Sequence, residues 1–267
     1  MSERTFSAQD VQSLRRATGA GMLDAKRALE ESGGDFEAAA RRLRELGKAS
    51  AVKRAERESS QGALSLVVEG GVGAIVELRC ETDFVAKSAE FVQLVEELAG
   101  GLAADGPDAL AARGEDIEKL GVVLKEHIEL GRTVRFAAGA SGNVIDGYLH
   151  EQNGRGVNAV LVELAGGSRS LAHELAVHIA FARPVVLRRD ELPVAELEEE
   201  RATLLAAARN EGKPEAALEK VVEGRLTGWI KERCLLEQPY VRDEKRTVAE
   251  HLGAANVVRF AQVEIGA

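Results

Sequence analysis

Apolar residues recur at helical spacing through the first fifty residues, and then the period changes. Ser7 and Asp10 form an S-x-x-D capping box ahead of Val11, Leu14 and Ala17, which predicts a helix start. Thr18-Gly19-Ala20-Gly21 breaks that helix, and Met22, Ala25 and Leu29 restart the period. Gly33-Gly34 ends the second helix, and Asp35 caps a third that carries Phe36, Ala39, Ala40, Leu43 and Leu46. The pattern predicts a compact unit of three short helices with a glycine-rich first turn. Gly47 to Gln61 is basic, then polar, and reads as a linker that starts helical.

After Gln61 the pattern becomes strand-like. Ala63 to Glu69 alternates loosely, Gly70-Gly71 signals a hairpin turn, and Gly73 to Cys80 is the return strand. Glu81-Thr82-Asp83-Phe84-Val85-Ala86-Lys87 follows, and then a helix with Phe91, Leu94, Val95 and Leu98 on one face. The stretch Val72 to Leu78 is echoed by Val157 to Leu164, each after a glycine turn and each leading to an amphipathic helix, Phe91 onward and Leu171 to Phe181. Two related subdomains, each mixing strands and helix, are the simplest account. The second copy leaves its strand through a bland polar loop, Ala165 to Ser170, whereas the first uses Glu81 to Lys87 and sets Phe84 just past the strand.

Residues 190–233 return to helical spacing. Pro193 suits the first position of a helix with Leu197, Leu204, Leu205 and Ala208 as its stripe. Gly212-Lys213-Pro214 turns the chain, and Leu218, Val221, Val222, Leu226 and Ile230 form a second stripe. Gln238-Pro239-Tyr240-Val241 then leads to a last strand, Val257 to Ile265. The fold class expected is α+β: a three-helix unit over 1–55, a first core subdomain over 56–140, a second over 141–189 and 234–267, and a helical hairpin inserted at 190–233. The core sheets are expected to be antiparallel.

Composition narrows the function. Lys and Arg number 35 against 44 Asp and Glu, a net charge of -9, and a protein built to grip phosphate backbones is usually basic. No direct nucleic-acid contact is expected, and the basic cluster from Arg41 to Arg57 reads as a solvated face without interleaved aromatics. Two cysteines, Cys80 and Cys234, form no C-x-x-C pair and suit a reducing compartment. The first residues, MSERTFSAQD, carry no targeting pattern, and no apolar run approaches the ~18 residues a membrane span needs. A cytoplasmic protein is expected.

The chain shows no nucleophile motif and no phosphate-binding glycine loop, so neither an enzyme nor a resident cofactor is expected. His173 and His178 resemble a zinc pair but stand five apart, which rotates them by about 140° around a helix. No metal site is expected, and His178 reads as packed or interfacial. His127 and His251 carry no signal, and His150 ends a strand where it is able to face a partner. Thr82-Asp83-Phe84-Val85 has two readings: Phe84 in the core with Asp83 capping the next helix, or Phe84 exposed as an anchor for a partner's pocket, worth ~2 kcal/mol or more at an interface.

These residues resemble a known family, bacterial elongation factor Ts, the guanine-nucleotide exchange factors of elongation factor Tu. The resemblance runs from about Val11 to Ile265 and rests on Thr18-Gly19-Ala20-Gly21-Met22 with Asp24-Ala25-Lys26-Arg27-Ala28-Leu29, on Glu81 to Lys87, on Val222-Glu223-Gly224-Arg225 and on Gln238 to Val241. It implies that residues up to about 55 form a ubiquitin-associated-type (UBA-like) domain that docks on the partner's GTPase domain through Met22, Lys26 and, as a conservative replacement, Leu23. It implies a coiled-coil hairpin over 190–233. Thr82-Asp83-Phe84-Val85 matches the segment that dislodges Mg²⁺ from the partner, and His150 matches a family histidine that contacts the same GTPase domain. A 1:1 or 2:2 complex with elongation factor Tu is implied. Family members often carry glycine where Lys125 stands, and some a Lys-His pair where this chain has His173-Glu174. Some continue past the last strand into a C-terminal helix, a contact not expected here. The rival reading is a UBA-type adaptor without exchange activity.

Overall fold

The computed structural model describes the backbone of residues 6–54, 57–139 and 142–266, and the side chains of all of these except 48–54. Helix α1 (Ala8–Thr18) begins at its capping box: Asp10 N–H donates to Ser7 Oγ at 3.2 Å and Ser7 N–H to Asp10 Oδ2 at 2.7 Å. Gly19 ends it at φ 69°, and a Cβ there would lie 2.5 Å from a methyl of Val123, so both handedness and closeness require glycine. Helices α2 (Met22–Glu31) and α3 (Phe36–Arg54) complete the unit, and Ala38 N–H donates to Asp35 Oδ1 at 2.9 Å at the start of α3. Val11, Leu14, Ala25, Ala28, Leu29, Ala39, Ala40 and Leu43 form its core. The segment read as a linker is helical as far as Arg54, where Lys, Ala and Arg favour that state. The basic cluster lies partly outside the described side chains; within it Arg42 pairs with Glu31 at 2.6 Å.

Two copies of one topology follow. The first is a hairpin of β1 (Gln61–Glu69) and β2 (Val72–Cys80), then α4 (Asp83–Ala86), α5 (Ala89–Asp105), α6 (Pro107–Ala112) and α7 (Gly114–Leu124), and then β3 (Glu129–Ala137) laid antiparallel on β2. The second is a hairpin of β4 (Val144–Gln152) and β5 (Arg155–Ala165), then α8 (Arg169–Ala182). Next come α9 (Val194–Asn210), α10 (Glu215–Arg233), a short pair β6 (Pro239–Tyr240) and β7 (Asp243–Thr247), and α11 (Val248–Leu252). Strand β8 (Asn256–Glu264) closes it, antiparallel on β5. Each copy is thus a hairpin, a helix and a third strand on the hairpin's second strand. The two sheets join where Leu64 pairs with Gly156, giving one six-stranded sheet; a Cβ on Gly156 would stand 2.3 Å from Leu64 O.

The sheet doubles over so that its halves pack face to face. On β2, Ala74, Val76 and Leu78 face Phe91, Leu94, Val95 and Leu98 of α5, while Ile75 faces Leu161 and Ile145 of the other half. On β5, Val160, Val162 and Leu164 face Leu175 and Ile179 of α8. Strands covered on both sides read as continuous apolar runs, and alternate residues serve opposite layers. The order of layers is α5, first half-sheet, second half-sheet, α8.

Each copy also buries a glutamate at the matching position, where its third strand slips register. Glu77 accepts from Arg132 N–H at 2.7 Å beside the slip between Val76 and Leu78. Glu163, 1% exposed, accepts from Gly139 N–H at 2.9 Å, Asn143 Nδ2 at 2.8 Å and Arg259 Nε at 2.7 Å. Burial pushes the Glu163 carboxyl up, but these donors together hold it below the usual range.

Helices α9 and α10 pack on each other through Ala208, Leu218, Val222 and Leu226, with Arg225–Glu211 and Arg201–Glu223 ion pairs across them. Pro193 stands one residue ahead of its expected position, as an extended N-cap at ψ 129°. Gln238 roots the hairpin: its Nε2 donates to Glu232 O at 2.6 Å, and its Oε1 accepts from His178 Nε2 at 2.9 Å. His178 Nδ1 accepts from Val241 N–H at 3.3 Å, so the ring is neutral with its proton on Nε2. His173 donates from Nδ1 to Gly147 O at 2.9 Å, so the two histidines of the zinc-like pair serve different neighbours.

Candidate partner-binding tip

Strand β2 runs into the core at Cys80 and must turn out to reach α5. Thr82 makes the turn: it is extended at φ -122° and ψ 153°, and its Oγ1 accepts from Val85 N–H at 3.3 Å as the N-cap of α4. Asp83 is therefore the first helical residue, which corrects the reading of it as a cap. Its carboxylate pairs with Lys87, whose ammonium holds the Asp83 carboxyl below the usual range, with a smaller pull from Arg155. Ala86 is buried and Val85 packs against the first core, so these two anchor the turn. Phe84 points the other way and is 82% exposed. The reading that places Phe84 in the core is excluded. The Lys87 ammonium lies 5.7 Å from the Phe84 ring centroid, within cation–π range.

A four-residue helix does not hold itself together in water. Its support comes from the corner between α7 and β3. Glu126 Oε2 accepts from Glu81 N–H and Thr82 N–H, each at 3.0 Å, and Glu126 Oε1 accepts from Thr82 Oγ1. Glu81 returns a bond, accepting from His127 N–H at 2.7 Å and pairing with Arg57 at 3.2 Å. Burial pushes the Glu81 carboxyl up, and the His127 and Arg57 donors override it and hold it low. Cys80 Sγ donates to Thr82 O at 3.2 Å, and burial pushes that thiol up to about 12, so it is inert as a nucleophile. Sequence reasoning missed Glu126, which stands 44 residues from Thr82.

His150 lies on β4, two residues before its end and exposed, with Tyr148 Oη 3.3 Å from its Nδ1. It lines a groove with Ser60, Gln61, Arg155 and Phe181. Arg155 donates to Gln61 Oε1 at 3.1 Å and to Gly62 O, and Gln61 pairs with Cys80. His150 and Phe84 thus belong to one end of the doubled sheet. Met22 (46% exposed) and Leu23 (77% exposed) sit on the first turn of α2, and Lys26 pairs with Glu30 at 3.6 Å. Their unit meets the first subdomain through α7, where Val122 and Val123 approach Gly47 and Gly19, and through Lys125 and Asp24, 3.9 Å apart. Lys125 adopts φ 61°, the left-handed conformation that favours glycine.

Phe181 is a second exposed aromatic, at 79%, near the end of α8. The sequence reading carried the amphipathic helix through it. The buried residues of α8 are Ala172, Leu175, Ala176, His178 and Ile179, and Phe181 stands about 200° around the helix from Ile179, a signal the spacing did contain. Tyr240 stacks on His251 at 3.8 Å between ring centroids, a packing partner that gave no sequence signal.

The family profile described as Elongation factor TS matches residues 81–267. The curated Elongation factor Ts of Deinococcus deserti is 40% identical over 272 residues, covering 97% of this chain and 99% of the relative. That of Thermobifida fusca is 42% identical over 277 residues, covering 98% of each, and that of Renibacterium salmoninarum 41% over 276 residues, covering 98% and 99%. Likeness over nearly the whole length, joined to the three-helix unit, the doubled α+β core and the Thr82–Val85 turn, shows that this chain belongs to the elongation factor Ts family of translation elongation factors.

Proposed function

We propose that the chain is a guanine-nucleotide exchange factor for elongation factor Tu, acting by contact alone and without covalent chemistry. The observation that carries this reading is Phe84, an aromatic side chain 82% exposed on a braced turn. An exposed ring that contributes nothing to its own core is suited to a pocket on another protein. In this reading Phe84 enters between helices of the partner's GTPase domain and displaces the groups that hold Mg²⁺ there. Without the ion, the diphosphate of GDP loses its counter-charge and leaves, and GTP binds in its place. The coupling is reciprocal: bound GDP weakens the factor's grip by the same factor as the factor weakens GDP binding.

The other surface residues take roles in the same reading. Residues 1–55 dock on the GTPase domain through Met22, Leu23 and Lys26, and His150 touches it from the second subdomain. The hairpin at 190–233 projects from the second subdomain, the two core subdomains being 56–140 and 141–189 with 234–267. Thr82 and Val85 shape the turn, and Asp83 holds Lys87 near the Phe84 ring. The test is release of labelled GDP from elongation factor Tu. The chain is expected to accelerate release, and Phe84→Ala to lose about tenfold or more of that acceleration, in line with loss of an interface anchor. Unchanged release in the variant would remove the wedge assignment.

A further inference from the structure

The end of α7 and the corner that leads from it to β3, residues 122–127, touch both elements that the exchange reading assigns to partner binding. Val122 and Val123 seat the three-helix unit against Gly47 and Gly19, and Lys125 approaches Asp24. Glu126 holds the two backbone N–H groups and the hydroxyl at the root of the Phe84 turn. His127 Nδ1 donates to Arg57 O at 3.2 Å, tying in the segment that leads from α3 to β1. We propose that Glu126 is a positioning residue for partner engagement, a clamp that displays Phe84 in its binding conformation before the partner arrives. The inference deepens the exchange reading and rests on it.

The physical argument is one of preorganisation. Helix α4 is four residues long, and only Val85 and Ala86 of it reach the core. Remove the carboxylate and the N–H groups of Glu81 and Thr82 lose their acceptor. The Thr82 hydroxyl keeps its bond to Val85 but loses its own acceptor. The turn then samples other conformations, and the partner must order it on binding. That cost falls on association. Once bound, Phe84 occupies the same place, so the maximal effect on the partner is retained. A clamp therefore predicts a split: a higher factor concentration at half-saturation with a preserved plateau. Loss of Phe84 itself lowers the plateau.

The experiment measures GDP release from elongation factor Tu against factor concentration, alongside amide hydrogen exchange at Glu81 and Thr82. Glu126→Gln keeps the side chain's size but replaces one acceptor oxygen with a donor. It is expected to raise the half-saturating concentration about tenfold, with a plateau near that of the unaltered chain, and to speed exchange at both amides by a similar factor, as lost charge-assisted bonds imply. Glu118→Gln, on an exposed face of α7, removes the same charge from the same neighbourhood and is expected to change neither. Glu126→Ala extends the series; if it folds poorly, the Gln variant carries the test, checked by its melting temperature. The proposal is overturned if Glu126→Gln leaves half-saturation unchanged, if it collapses the plateau as Phe84→Ala does, or if Glu118→Gln produces the same shift. Phe84→Ala run in parallel separates the two ideas. Release lowered by Phe84→Ala but untouched by Glu126→Gln removes the clamp alone, release indifferent to Phe84→Ala removes the wedge assignment and the clamp with it, and no acceleration by the unaltered chain removes the exchange reading itself.

Discussion

The two connections that leave the repeated hairpins solve the same problem with different amounts of chain. Both must turn from a buried strand into a core-packed helix, and both do it with a hydroxyl N-cap. In the second copy Ser168 Oγ accepts from Leu171 N–H at 3.1 Å and the chain enters α8 directly. In the first, Thr82 caps the short α4, and α5 begins only after a second cap position at Ser88. The second copy folds without the extra turn, so the architecture does not require it. What the extra turn adds is an aromatic ring in solvent and a glutamate from a distant corner to hold it there. The bland copy thus serves as an internal control for the elaborate one.

The largest effects should come from the matched buried glutamates. Glu163 satisfies three donors, including the Arg259 guanidinium, and Glu77 a backbone N–H. Glu163→Ala is expected to destabilise the chain by about 3 kcal/mol, against about 1–2 kcal/mol for Glu77→Ala, because the first also leaves a charged partner unpaired. Urea unfolding measures both; equal losses would erase this difference between the halves.

Acid should separate the halves next. His178 is fully buried in the second copy, and burial depresses its pKa against the opposing bond that it donates to Gln238 and with a smaller push from His251 beyond Tyr240. A depressed folded value means that the unfolded chain takes up the proton first. The stability this site contributes is complete above the unfolded histidine value of about 6.5 and is lost as pH falls from there towards the lower folded value. Protonation at Nδ1 also cancels the bond from Val241 N–H. Amide exchange compared at neutral and mildly acidic pH should show protection falling first around α8 and the root of the hairpin. A His178→Gln variant should lack that step, and uniform loss across both copies would count against the assignment.

The smallest effects compare the connections themselves. Ser168→Ala is expected to cost about 1 kcal/mol as a lost N-cap and to leave GDP release intact. Phe84→Ala should change stability by no more than about 0.5 kcal/mol, since the ring is in solvent, while reducing release strongly. Thermal unfolding paired with the release assay checks both, and a large stability loss at Phe84 would mean that the ring packs against its own fold.

Much of the fold was legible because its signals are local. The Ser7 capping box, the Gly70-Gly71 turn and the apolar stripe of α5 are each set within a few residues, and the echo of β2 in β5 is visible because both strands are buried on both faces. Strand β3 and helices α6 and α7 leave no comparable local signal. Strand β3 is an edge strand with only Phe136 buried, and α6 spans six residues, too few to show a period. The site was half legible. Spacing marked Thr82–Val85 as odd but left Phe84 open between core and solvent, because direction is decided by which neighbours a turn finds. Val85 and Ala86 pack inward and Glu126 braces the root of the turn, and a contact 44 residues away leaves no mark on local periodicity.

The two cysteines have a practical consequence. Cys80 and Cys234 are both buried, and burial raises the pKa of both thiols. Alkylating and disulfide-forming reagents act on exposed thiolate, so the folded chain should be nearly silent towards them. A single substitution such as Ser170→Cys, at an exposed position on the bland copy, would then be the one labelled site without any need to remove the native cysteines. Fluorophores or spin labels placed this way would let the elaborate turn be watched from its quiet counterpart as a partner arrives.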